Sequence, residues 1–89
     1  MSKDSNIKVY VHYIAAGKPY MADVAPAETV AQLKASALTA FGLVEQGNKT
    51  YKLFLHKQEL TDPNQTIGQL AGDKHEVKID LEEFITQGK

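Results

Sequence analysis

The sequence contains no cysteine, which excludes a disulfide framework and a thiolate zinc site. Met1-Ser2-Lys3-Asp4 begins without the apolar run of a secretory leader, so a reducing cytoplasm is the expected home. No stretch approaches the roughly 18 consecutive apolar residues needed to span a bilayer. The net charge is -1, with no block of about five like charges that could act as a basic arm or acidic tail. Neither nucleic acid nor a membrane is therefore an expected partner. P-loop, dinucleotide-binding and nucleophile-elbow patterns are absent, as are internal repeats. His12, His56 and His75 are the only histidines, and their spacing fits no metal-ligand signature. Asp80, Glu82 and Glu83 cluster in sequence, but a general acid or base needs a cleft around a substrate, which a domain with one small core does not supply. We expect a non-enzyme with no catalytic residue, no cofactor and no metal.

At 89 residues with 43% hydrophobic content, the chain has material for one modest core. The strongest local signal runs from Thr29 to Phe41. Val30, Leu33, Ala37 and Phe41 fall on one arc at 3.6 residues per turn, with Gln32, Ser36 and Thr39 opposite. Thr29 and Gln32 stand three apart, the spacing of a capping box. Gly42 can close the helix in a left-handed conformation, and Leu43 can fold back over the last turn. A helix this short is marginal alone and needs a surface to pack on.

Strands supply that surface. Ile7, Val9 and Val11 alternate with Lys8, Tyr10 and His12. After a turn at Ala15-Ala16-Gly17-Lys18, Tyr20, Ala22 and Val24 alternate with Met21 and Asp23, predicting a hairpin. Pro26 cannot extend a ladder and leads into the Thr29 cap. A third strand is predicted over 51–55, with Leu53 and Leu55 inward and Lys52, Phe54 and His56 on the other face. Thr66-Ile67-Gly68-Gln69-Leu70 repeats the capping pattern over one helical turn. Val77, Ile79 and Leu81 form the buried face of a last strand. Residues 1–6 and 82–89 are expected to be flexible termini, with Phe84 and Ile85 as the apolar handles of the second.

The predicted class is α+β: a mixed sheet in ββαββ order gripping one central helix, with the first and last strands paired in the middle. At this point the chain resembles ubiquitin and the ubiquitin-like proteins from Ile7 to Leu81. The resemblance rests on Gly17-Lys18 in the hairpin, Val24-x-Pro26 before Thr29-Val30, and Leu33-Lys34 on the helix. It continues through Lys52-Leu53-Phe54-Leu55, the segment 57–60, Thr66-Ile67 and the closing strand.

The resemblance implies a β-grasp domain that works by being recognised on its exposed sheet face. The recognition patch of ubiquitin falls on Phe54 and Ile14, while its third member falls on the charged Asp80. An unpaired carboxylate at an interface is costly to desolvate, so ordinary ubiquitin receptors should bind poorly. Tyr10, His12, His56 and Lys78 are expected to complete a mixed polar and aromatic platform for a dedicated protein partner. Lys52, Lys78 or Phe84 is the expected cover if the Phe54 ring is not fully open. Where the family's conjugated members end in two glycines, this chain has one, Gly88, followed by Lys89. Conjugation through Gly88 would first require removal of Lys89, as in modifiers made as precursors. The implied partners are then activating and conjugating enzymes or a processing peptidase, with bacterial ubiquitin-like systems as one setting. The missing diglycine argues against a sulfur carrier. A monomer is expected.

Overall fold

The structure, a computed structural model, describes residues 6–85. Five strands form one sheet: β1 (Ile7–Tyr13), β2 (Tyr20–Val24), β3 (Lys49–Leu55), β4 (Gln58–Glu59) and β5 (Glu76–Ile85), in the spatial order β2-β1-β5-β3-β4. One long helix, α1 (Val30–Phe41), and one short helix, α2 (Ile67–Ala71), complete it. β1 pairs antiparallel with β2 and parallel with β5. The first and last strands therefore meet in the middle of the sheet, and the fold is a ubiquitin-like β-grasp of the α+β class, as expected.

The core follows from two periodicities. Ile7, Val9, Val11 and Tyr13 of β1 and Val77, Ile79 and Leu81 of β5 are buried at every second position. Val30, Leu33 and Ala37 of α1 pack on them. Full burial of Leu33, Leu53 or Leu81 stabilises the fold by about 1.5–3 kcal/mol each. Phe41 is half-buried at the end of α1, in ring contact with Tyr13 at 5.5 Å and Tyr20 at 6.3 Å.

Both helices start on a capping box. The Thr29 Oγ1 accepts from the Gln32 N–H at 3.2 Å, and the Gln32 Oε1 accepts from the Thr29 N–H at 3.0 Å. Thr66 and Gln69 repeat this geometry. The two N-termini are tied together, with the Val30 N–H donating to the Gln65 carbonyl and the Ile67 N–H to the Glu28 carbonyl. α1 ends at Gly42, whose φ of 72° requires the left-handed region, and the Leu43 N–H returns to the Leu38 carbonyl at 2.8 Å. At Gly68 a Cβ would sit 3.0 Å from the Pro26 Cβ and 3.1 Å from its carbonyl oxygen, so a larger residue there would need Pro26 or α2 to give by a few tenths of an ångström.

Two boundaries differ from the sequence reading. β5 does not stop at Leu81: Glu82 to Ile85 continue as strand, opposite Lys52 to Lys49 of β3. The expected flexible tail from residue 82 is thus corrected over 82–85, because β3 begins two residues earlier than its apolar pattern and offers a partner edge. β4 was not foreseen, being two residues long and entirely polar. Residues 1–5 and 86–89, including the expected site at Gly88, lie outside the described residues.

Candidate functional site

The helices pack on one face of the sheet. Strand alternation sends the other set of side chains to the opposite face, and the registers say which of them are neighbours. His12 lies opposite Asp80, and Asp80 lies opposite Phe54, which in turn lies opposite Glu59. One row below, Met21, Tyr10 and Lys78 are adjacent. One row above, Lys52 faces Glu82, and beyond it Thr50 faces Phe84. Of the residues expected from sequence, Tyr10, Phe54, Lys78 and Asp80 therefore share this outer face.

The Phe54 ring is half-buried. Its cover is Phe84, with centroids 6.1 Å apart and planes tilted by 30°, and the Lys52 ammonium lies 5.1 Å from the Phe84 centroid. Lys52 also reaches Glu59 at 3.5 Å. A cation over a ring at a site this exposed contributes about 0.5–1 kcal/mol, so this cluster is ordered but easily opened. Asp80 is 3.8 Å from the His12 Nδ1 beside the aromatic pair.

Ile14 lies in a loop beside this face, as expected, whereas His56 does not lie on the sheet face. Ile14 begins a single 3-10 turn, Ile14–Ala16, after β1 ends, and it is 82% exposed. It lines a cleft of about 570 Å³ with His12, Asp80, Glu82 and Glu83, beside the Phe54 row. His56 is not a strand residue. With φ of 53° it pairs with Lys57, at φ 70°, in the two-residue loop joining Leu55 to Gln58. Such a loop needs positive φ at both positions, which carries His56 off the alternation of β3 and out of the sheet face.

Sequence reasoning placed Phe84 in a tail, when it completes the aromatic pair of the platform. The alternation Lys78, Asp80, Glu82, Phe84 was the signal available for it. Two further carboxylates stand at the inner side of the sheet. Glu83 accepts from the Tyr13 hydroxyl at 3.5 Å and meets Lys49 at 3.5 Å. Burial, then the Glu83 charge, push the Tyr13 phenol above its ordinary value. Glu45 accepts from the Tyr51 N–H and the Thr50 hydroxyl, both at 2.8 Å, and pairs with Lys34 at 3.0 Å. The Tyr51 backbone donor is the main cause of its lowered pKa. These two carboxylates tie loops and strands together rather than converge on a substrate-sized site.

Among the described residues, no group of three or more His, Asp or Glu side chains is placed to hold a metal ion. No helix there is long and apolar enough to cross a membrane. No protein-family model matches the sequence, and no curated protein matches it. Solved structures do match. The chain is similar to a ubiquitin of Caldiarchaeum subterraneum, with a TM-score of 0.74 and 21% identity over 93% of this chain and 99% of that one. The ubiquitin-like domain of yeast Ddi1 gives a TM-score of 0.71 and 14% identity over 99% and 100%. Trypanosoma brucei ATG8 gives 0.72 and 9% over 97% and 79%. At these identities the likeness is one of fold.

Proposed function

We propose that the chain is a non-catalytic protein-recognition module that docks its partner on the outer face of the sheet, centred on Phe54 and Phe84. The observation that carries this reading is the half-exposed aromatic pair set among Tyr10, Lys52, Lys78 and Asp80, on the face that neither helix covers. Aromatic residues ringed by polar ones are the composition of an interface core and its rim. The His12 and Asp80 pair makes the platform more polar than a simple apolar patch, so a partner must offer its own polar groups there.

The test compares partner capture from the native host by the wild type and by Phe54→Ala. The variant should lose the captured protein while its melting temperature falls by only about 4–8 °C, the change equivalent to about 1 kcal/mol in a domain of this size. Undiminished capture by a folded variant would rule out this face.

A second reading is a protein modifier joined to targets through Gly88 after loss of Lys89, served by a peptidase and by activating and conjugating enzymes. It rests on that glycine and on the ubiquitin-like fold. Intact mass of the chain expressed with its native neighbours separates the two: adducts ending at Gly88 support the modifier, and an unchanged mass without adducts supports the recognition module.

A further inference from the structure

β5 outlasts its neighbour. The β1 ladder ends where Tyr13 faces Leu81, whereas the β3 ladder continues until Lys49 faces Ile85. From Glu82 to Ile85, one edge of the central strand has no partner strand among the described residues.

Which backbone groups that edge presents follows from the bonds on either side. Lys8 lies opposite Glu76, and its N–H donates to the His75 carbonyl at 2.9 Å. In a parallel ladder Lys8 then bridges the residues flanking Glu76, so the odd-numbered residues of β5 turn N–H and C=O toward β1. The β3 side agrees. The Leu60 N–H donates to the Leu53 carbonyl at 2.8 Å, which turns the odd-numbered residues of β3 toward β4 and leaves Thr50, Lys52 and Phe54 to bond Phe84, Glu82 and Asp80. Glu83 and Ile85 therefore direct both backbone groups to the side that β1 has left.

The space there is open. The chain leaves β1 through the Ile14–Ala16 turn, and the cleft between that turn and β5 is lined by His12, Ile14, Asp80, Glu82 and Glu83. Ile14, at one side of the cleft, is exposed, as is Ile85 further along β5, while Asp80 and Glu82 stand on the outer face of the strand and Glu83 and Ile85 on its other face. Lys52 stands opposite Glu82 in the ladder but turns its ammonium to Glu59, and the neighbours of Asp80 and Glu83 are His12 and Lys49.

We propose that this edge accepts an extended, basic peptide segment of a partner protein as an added strand beside Glu83 and Ile85. The backbone pairs with the free donors and acceptors, at the usual spacing of about 4.8 Å. On the outer face its side chains meet Glu82 and Phe84, where a lysine or arginine reaches Glu82 with Asp80 beyond it, and on the other face they meet Glu83 and Ile85. Opposite charges across a ladder stabilise it and like charges oppose it. A second copy of this chain would bring Asp80, Glu82 and Glu83 against the same three carboxylates, so charge favours a foreign basic strand. This site borders the Phe54 face and shares Asp80 with it, but takes its partner along the strand edge rather than on the face.

The test uses a fluorescein-labelled Lys-Val-Lys-Val-Lys-Val peptide and its Glu-Val counterpart, with binding read by anisotropy at low salt. The basic peptide binds and the acidic one does not. Asp80→Asn with Glu82→Gln weakens binding about tenfold. Two peptides N-methylated at alternate residues differ sharply, because only one set of amides faces the sheet. Exchange of the Glu83 and Ile85 amide protons slows on binding. Slowed exchange at these two edge amides, which a partner lying flat on the Phe54 face does not cap, separates this site from the outer-face reading. Equal binding by the two methylated peptides, or unchanged exchange at Glu83 and Ile85, would overturn strand addition, as would self-association through this edge in sedimentation.

Discussion

The two ends of β5 differ in the neighbour they pair with and in burial. From Glu76 to Ile79 the strand pairs with β1 alone, Asp80 and Leu81 pair on both sides, and Val77, Ile79 and Leu81 are buried in the core. From Glu82 to Ile85 it is paired on one side only, and all four residues are exposed. The first end holds the fold together. The second projects an ordered ladder into solvent, with its outer side chains completing the aromatic platform and its free edge beside a cleft. An edge left unpaired at the centre of a sheet is a hazard that charge can reduce, and Glu82 and Glu83 supply that charge. Order and stability thus separate within a single strand.

The largest test of this contrast is a pair of truncations. Leu81→Ala, at 1% exposure, should cost about 2–5 kcal/mol. Ile85→Ala, at 59% exposure, should stay within about 0.5 kcal/mol, as is usual for surface changes. Chemical denaturation of the two variants decides it; comparable losses would mean that the far end is as integral to the core as the near end.

A smaller effect is expected at Phe84. Its ring contact with Phe54 predicts a loss of about 0.5–1.5 kcal/mol for Phe84→Ala, intermediate between the other two. The same variant should uncover Phe54, which solvent-exposure probes such as ring-proton paramagnetic broadening would register. No change at Phe54 would separate the two rings and divide the proposed platform.

The near end of β5 was legible in the sequence and the far end was not, for a physical reason. Val77, Ile79 and Leu81 carry their facing in their own alternation, just as Thr29, Gln32 and Gly42 carry the start and stop of α1 locally. Glu82 and Glu83 are polar on both faces, and their strand conformation comes from β3 partners, Lys52 and Tyr51, that are distant in sequence. Local pattern cannot report a partner that distant. His56 shows the opposite failure. Alternation was carried one residue too far, into a loop made of His56 and Lys57 where the common solution is Asn-Gly. Tyr10, Phe54, Lys78 and Asp80 were placed correctly on the outer face because each sits within an alternating run.

The far end of β5 depends on β3, and the start of β3 is itself held by Glu45, whose carboxylate takes the Tyr51 N–H that points away from β5. That contact predicts a pH dependence confined to this corner. The Glu45 pKa is lowered below its ordinary value of 4.5, chiefly by the Tyr51 backbone donor. A carboxyl with a depressed folded pKa contributes stability above its unfolded value and loses it as the pH falls through the folded one. The wild type should therefore lose this contribution below about pH 4.5, while Glu45→Gln lacks it already at neutral pH. The difference in melting temperature between the two should be small at pH 7 and shrink toward zero in acid. Hydrogen exchange locates the effect: in Glu45→Gln the amides of Glu82 and Phe84, which bond β3, should exchange faster, with Ile79 unchanged. Equal acceleration at Ile79 would show that β5 opens as one unit and that its two ends are not independent.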